Sequence, residues 1–209
     1  MSSDIRIILK GFQQFLLLSV LAILPILTLA YDLIYTQHQG ISEYSMTEYL
    51  QELLLLSTVL VYSYIAYKKT SHRHFAVLLA GFFCCLLIRE FDALLDKIQH
   101  GFWVYPALLV ALSSIIYALK DLSQTLRTFS QFVQHKHFIT LNLGMVMLLV
   151  FSRIFGMGDL WEGILGEDYD RLVKRVVEEG LEVLGYTIIF YAAIGYLGAF
   201  LSKNELTTD

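Results

Sequence analysis

Three groups of acidic residues stand out in an otherwise apolar sequence as candidates for a binding or catalytic site. Glu48 and Glu52 are four residues apart, as are Glu178 and Glu182, and a third group follows the apolar run that ends at Ile88. Residues four apart lie on the same face of a helix. Each group therefore presents carboxylates on one helix face, and three such faces together could bind protons, cations or a metal ion.

The third group also contains an arginine, and its charged residues are Arg89, Glu90, Asp92 and Asp96. The positions from Cys85 through these residues to His100 recur every three or four residues. This spacing predicts a helix that runs to His100 and carries most of these side chains on one stripe, with Glu90 beside it.

The expected depth of Arg89 and Glu90 in the membrane restricts what their charged side chains can face. They precede Trp103, which we expect at the membrane boundary, by 14 and 13 residues. That separation is roughly 20 Å along a helix, which predicts a position near the middle of the bilayer. A charge there costs about 2.5–3.5 kcal/mol, so both side chains must face protein or water.

We interpret the three groups as a transport site. Buried carboxylates could exchange protons or hold a cation, while Arg89 balances their charge or binds an anionic solute. The expected pathway is formed by Glu52, Arg89, Glu90, Asp92, Asp96, Glu178 and Glu182. The predicted function is movement of protons, ions or a small polar solute through a cavity between the second, third and sixth helices that opens toward the outer face.

An alternative is a membrane-embedded, metal-dependent enzyme that acts on a lipid or an isoprenoid. Oxygen-rich ligand sets suit Mg²⁺, Mn²⁺ or iron, so a divalent metal is the candidate cofactor. The expected ligands are Glu52, Glu90, Glu182 and His100. The sequence lacks the Glu-x-x-His and His-Glu-x-x-His signatures of metal-dependent enzymes, which ranks this alternative below transport. No haem is expected, because no two histidines face each other at mid-membrane depth.

A second alternative is a non-catalytic subunit or assembly factor of a membrane complex. The segment 176–201 carries small residues that allow helices to approach closely: Gly185, Ala192, Gly195, Gly198 and Ala199. Small residues spaced four apart are common where membrane helices pack together. A second copy of the chain or another membrane protein could bind through this helix.

Composition indicates that these residues belong to an integral membrane protein. Of the 209 residues, 56% are hydrophobic and only 16% are charged, and the mean hydropathy is +0.60. A soluble domain of this size needs a more polar surface, so the lipid bilayer is the expected partner. Nucleic acid is not expected, since the net charge is −4 and no basic block could neutralise phosphates.

Six apolar runs of spanning length predict an all-α bundle in a single domain, 1–209. The expected helices are 11–35, 49–67, 75–100, 102–119, 138–155 and 176–201. Lys and Arg residues number nine in the segments on the side of both termini and five on the other side. The excess predicts cytoplasmic termini and places the acidic groups toward the outer face. The expected location is the bacterial inner (plasma) membrane.

Overall fold

The computed structural model describes residues 3–35 and 45–205. Its helices are α1 (Ser3–Tyr35), α2 (Met46–Lys68), α3 (Arg73–Glu90), α4 (Asp92–Leu95), α5 (Val104–Leu119), α6 (Leu122–Val133), α7 (Lys136–Val146), α8 (Ser152–Phe155), α9 (Gly158–Leu165) and α10 (Arg171–Glu205). A π-helical segment, Met147–Phe151, joins α7 to α8. These described ranges are almost wholly helical and contain no strand, which confirms the all-α prediction.

Five described segments are long and apolar enough to cross a membrane: Asp4–Tyr35, Met46–Lys68, Thr70–Glu90, Lys136–Phe155 and Arg171–Leu201. The pair α5 and α6 becomes a sixth only if it counts as one span, because the two helices meet at 101°. The apolar helices therefore fit an integral membrane protein with five or six spans among the residues described. A count of six and cytoplasmic termini stay predictions.

The predicted third helix, 75–100, is wrong beyond Glu90. The ladder of α3 closes with the Phe91 N–H donating to the Leu87 carbonyl at 3.3 Å, and pairing resumes only when the Leu95 N–H donates to Phe91. Phe91, with φ −84° and ψ 15°, interrupts the ladder, and the bonding that resumes forms only the four-residue α4 before a series of turns, so no continuous helical stripe reaches His100. Glu90 is consequently the last residue of the apolar helical segment Thr70–Glu90 rather than part of a helix that continues to His100.

Two further segments differ from the predicted boundaries. The region between 119 and 138 forms α6, whose first turn is capped by Asp121 accepting a hydrogen bond from the Gln124 N–H at 2.9 Å. The last helix begins at Arg171 rather than near Val176. A helix as long as α10 extends roughly 50 Å, so its charged first turns can lie beyond a hydrocarbon core of about 30 Å.

The centre of the bundle is formed by α2 and α10. Buried side chains on α2, such as Leu55, Tyr62 and Ile65, pack with buried residues of α10 such as Ile189 and Ala193 in one hydrophobic core. Helix α2 also packs against α3, and α10 packs against α7 and α1. The two central helices therefore position side chains from most of the chain.

The start of α2 is held by the end of α1. The Asp32 carboxylate accepts hydrogen bonds from the backbone N–H groups of Met46 at 2.8 Å and Thr47 at 2.9 Å. Ser45 caps the same helix by accepting from the Glu48 N–H at 3.2 Å. Because the first N–H groups of a helix lack partners within it, these acceptors stabilise α2 in a fixed position.

Helices α7 and α10 cross where glycines let the backbones approach. A Cβ on Gly144 would lie 2.9 Å from the Gly185 carbonyl oxygen and 2.8 Å from the Ile189 side chain. A Cβ on Gly198, in α10, would meet nothing within 4 Å among described atoms. The predicted close packing through Gly185 is thus used, at least in part, inside this chain.

We expect Gly144→Ala to destabilise the protein by about 1–3 kcal/mol, because the added methyl group overpacks the crossing. Gly198→Ala is the matched control: an added methyl in open space should be neutral or stabilise α10 by up to about 1 kcal/mol. Thermal unfolding of both variants in detergent measures the difference. Equal unfolding temperatures would show that the crossing tolerates a side chain.

Candidate functional site

Five glutamates gather at the end of the bundle where α3 ends and α10 begins. We call this set the acidic cluster: Glu52, Glu90, Glu178, Glu179 and Glu182. Their carboxylates are close enough for the charge of Glu90 to act on Glu52, Glu179 and Glu182. Side chains from α2, α3 and α10 therefore form a single electrostatic unit.

The main cation of the cluster is Arg153, from α8. One guanidinium nitrogen, Nη2, lies 2.6 Å from Glu182 Oε1, and Nη1 lies 3.6 Å from Glu178 Oε1. Glu182 is only 6% exposed, whereas 42% of the Arg153 side chain is exposed. The pair therefore joins a buried carboxylate to a guanidinium that reaches toward the surface. Lys174 adds a longer contact, 3.9 Å from Glu178.

Arg153 faces α10 because of two local features of the chain. The π-helical segment Met147–Phe151 lies directly before it, and one extra residue in a turn rotates the following side chains by roughly 100°. Gly156 then ends α8, and a Cβ at this position would collide with the Glu178 carboxyl group. Glycine thus leaves the space in which Glu178 approaches the arginine.

Two other carboxylates of the cluster accept hydrogen bonds from neutral donors. The Tyr186 hydroxyl donates to Glu90 Oε1 at 2.6 Å, and the Gln51 side-chain amide donates to Glu179 Oε2 at 2.8 Å. Gln51 is buried on α2, and Tyr186 is buried on α10. Both bonds join residues that are far apart in the sequence, so the fold positions them.

These contacts leave the cluster with an uneven charge distribution. Glu182 and Glu178 share Arg153, and Arg175 acts electrostatically on Glu179, but no Lys or Arg nitrogen in the described part of the chain lies within 4.0 Å of the Glu90 carboxylate. Arg89 is half-buried and acts on Glu90 electrostatically without forming an ion pair with any described residue. The cluster therefore carries more carboxylates than paired cations.

The structure brings some of the predicted pathway residues together and leaves others apart. Glu52, Glu90, Glu178 and Glu182 lie in the cluster, with Arg89 and Asp92 close enough to act on Glu90. Asp96 instead accepts a hydrogen bond from the Gly101 N–H at 2.8 Å. It also pairs with the exposed His100 at 2.8 Å. Both residues belong to the turn after α4.

Four contributors were not on the predicted list: Gln51, Arg153, Glu179 and Tyr186. Tyr186 had a visible signal, since it continues the four-residue spacing of Glu178 and Glu182. No sequence signal pointed to Arg153, because the direction of its side chain depends on the π-helical segment that precedes it. The sequence pattern pointed to Arg89 as the cation that pairs with the carboxylates, but the ion pairs in the structure are formed by Arg153.

The residues proposed as metal ligands, Glu52, Glu90, Glu182 and His100, do not converge on one point. Over residues 3–35 and 45–205, no three His, Cys, Asp or Glu side chains converge as a metal ion would require. His100 extends into solvent beside Asp96, away from the contacts that join Glu90 and Glu182 to α10 and α8. The described arrangement is therefore a set of hydrogen-bonded carboxylates rather than a convergent ligand shell.

Two buried hydroxyl groups lie deeper in the bundle. Tyr62 on α2 and Thr187 on α10 are almost completely buried, and their hydroxyl oxygens have no hydrogen-bond partner among the residues described. An unpaired buried hydroxyl costs about 1–3 kcal/mol, so such groups call for an explanation. Thr187 directly follows Tyr186 in α10, so its side chain points about 100° away from that of Tyr186 around the helix.

No protein-family model matches this chain, and no curated protein or solved structure is significantly similar to it. The site must therefore be interpreted from its own geometry.

Proposed function

We propose that this protein moves protons or a small monovalent cation, and that the acidic cluster is the site that binds them. One observation supports this proposal above the others: the Glu90 carboxylate accepts a hydrogen bond from a neutral donor, the Tyr186 hydroxyl, and has no ion-pair partner among the described residues. Neutral donors stabilise a carboxylate without cancelling its charge. A proton or a cation would supply the missing positive charge.

The cost of burying charge makes this compensation necessary. Charged side chains within membrane spans are rare and mark ion or proton pathways when they occur. In the cluster, Arg153 neutralises part of the charge of Glu178 and Glu182. The remaining negative charge favours binding of a small cation. Because the carboxylates are partly buried, only protons, or ions that can lose their bound water, reach them.

Each residue has a distinct role in this proposal. Glu90 and Glu179 bind the transported charge, and Tyr186 and Gln51 orient them. Arg153 with Glu182 forms the fixed ion pair that holds α8 against α10. Glu52 is half-buried at the edge of the cluster, which suits a role in admitting the proton or cation to the site. The unpaired hydroxyls of Thr187 and Tyr62 offer polar groups further along the α2 and α10 interface.

The excess of Lys and Arg at the opposite end supports an orientation for this site. That excess favours cytoplasmic placement of the α2–α3 junction. The proposed location is accordingly the plasma membrane, a bacterial inner membrane, with the acidic cluster toward the outer face.

Flux into liposomes tests the proposed activity. We expect purified protein, reconstituted into liposomes that contain a dye selective for H⁺, Na⁺ or K⁺, to increase movement of at least one of these ions above that of protein-free liposomes under an imposed gradient. Glu167→Gln, which removes an exposed carboxylate outside the cluster, should retain the same flux. If none of the three ions moves faster than in protein-free liposomes, the proposal is wrong.

A further inference from the structure

A cleft of about 870 Å³ opens at the end of the bundle opposite the acidic cluster. We call it the basic-end cleft. Three elements form its walls: the turn between α2 and α3, the helix α6, and the last turns of α10. Its lining includes Lys69, His72, Arg127, His135, Tyr196 and Phe200. No residue of the proposed transport site lines this cleft, so the proposed ion movement does not explain the residues that line it.

The charge of the cleft favours an anion. Lys69 and Arg127 approach it from two different elements, and Arg127 is exposed without a carboxylate within 4.0 Å in the described ranges. Asp121, an acid in the lining, already accepts the Gln124 N–H at 2.9 Å as the cap of α6. Burial and the charge of Lys136 lower the pKa of His135, so at neutral pH this ring adds a polar group rather than a charge.

The floor of the cleft is apolar and aromatic, whereas its rim is polar. Tyr196 and Phe200 are buried beneath it, and the Lys69 ammonium lies 5.3 Å from the centre of the Phe200 ring. Donors from Ser71, Ser123, Gln124 and Gln131 line the upper part. Cations and hydroxyl or amide donors around a concave surface are the groups that bind phosphate oxygens in proteins.

The amphipathic character of helix α6 favours a position of this cleft beside the lipid surface. Its exposed apolar side chains, Leu122, Leu126, Phe129 and Val133, are three or four residues apart and share one face. The opposite face carries polar residues that line the cleft, including Arg127 and Gln131. Because α6 turns 101° away from α5, it is suited to lie along the membrane interface with its apolar face in lipid.

We propose that the basic-end cleft binds a phosphate group, with Lys69 and Arg127 as the cations that hold it. The phosphate can belong to the headgroup of an anionic phospholipid or to a soluble phosphate ester, and both present the same oxygens to the cleft. This site is independent of ion movement through the acidic cluster. It would place phosphate recognition at the end of the bundle where α6 meets the interface.

Binding measurements on the full-length protein test this site. In the first measurement, wild-type protein is placed in nanodiscs that contain phosphatidylglycerol and in nanodiscs of phosphatidylcholine alone. In the second, wild-type protein in detergent is titrated with glycerol phosphate. Phosphatidylglycerol binding is read by native mass spectrometry, and glycerol phosphate binding by thermal shift. Lys69→Gln and Arg127→Gln should each weaken binding of the effective probe about tenfold, the usual loss for one charge-assisted contact.

The controls separate this site from general surface charge. Lys120→Gln removes an exposed charge at the same end without lining the cleft, and Arg171→Gln removes one at the opposite end. Both should bind like wild type, and Lys69→Arg and Arg127→Lys should keep most of the affinity. Selective phosphatidylglycerol binding supports a lipid headgroup, and stabilisation by glycerol phosphate supports a soluble ester. Failure of both probes, or equal loss in Lys120→Gln, would overturn the proposal.

Discussion

Replacing Glu90 with glutamine is expected to abolish protein-dependent ion flux while leaving the fold intact. The amide oxygen of glutamine can still accept the hydrogen bond that the Tyr186 hydroxyl donates at 2.6 Å. The side chain keeps its size but can no longer carry a negative charge or take up a proton. Flux into liposomes should therefore fall to the protein-free rate.

Stability measurements distinguish this result from simple misfolding. Glu90→Gln should elute as a single species in detergent and unfold within a few degrees of wild type, because one hydrogen bond is kept and one unpaired charge is removed. Glu167→Gln makes the same chemical change on an exposed surface and should have wild-type flux. Wild-type flux in Glu90→Gln would remove this carboxylate from the proposed pathway.

Arg153→Gln is expected to be the most destabilising single substitution in the cluster. It leaves Glu182, which is 6% exposed, without the guanidinium that lies 2.6 Å away. Breaking a fully buried ion pair costs about 3–5 kcal/mol, but 42% of the Arg153 side chain is exposed to screening. We therefore expect a loss of about 2 kcal/mol, measured by thermal or denaturant unfolding in detergent.

A double substitution separates the ion pair from other roles of the arginine. Arg153→Gln combined with Glu182→Gln removes both charges, so it should recover most of the stability that the single variant loses. Arg171→Gln, an exposed arginine at the same end, should change stability by no more than about 0.5 kcal/mol. A double variant as unstable as Arg153→Gln would show that the carboxylate is not what the arginine stabilises.

The carboxylates of α10 show what helical spacing can predict. Glu178, Glu182 and Tyr186 are four apart, and a regular helix places them on one face, as the structure shows for their contacts with Arg153 and Glu90. The same reasoning fails after Glu90, where Phe91 ends the regular ladder. Periodicity assumes an unbroken helix, and it cannot detect the residue at which hydrogen bonding is interrupted.

The identity of the cation that pairs with the carboxylates shows a second limit of prediction from helical spacing. Arg89 follows an apolar run next to Glu90, so spacing favours it as the partner of the carboxylates. The ion pairs are formed by Arg153, whose orientation follows from a π-helical segment and from the space left at Gly156. Neither feature has a periodic signature, since both depend on how α7 and α8 pack against α10.

The order of apolar and charged residues alone determined that this chain is helical, that it suits a membrane, and that its acids lie on helix faces. These properties follow from local periodicity and from the cost of exposing apolar surface to water. The three-dimensional structure was needed to show that Arg153 pairs with Glu182, that α3 ends at Glu90, and that α6 bends away from α5 and lines a cleft. Such choices depend on contacts between distant segments, because a side chain's partner is set by helix crossings and not by its neighbours in sequence.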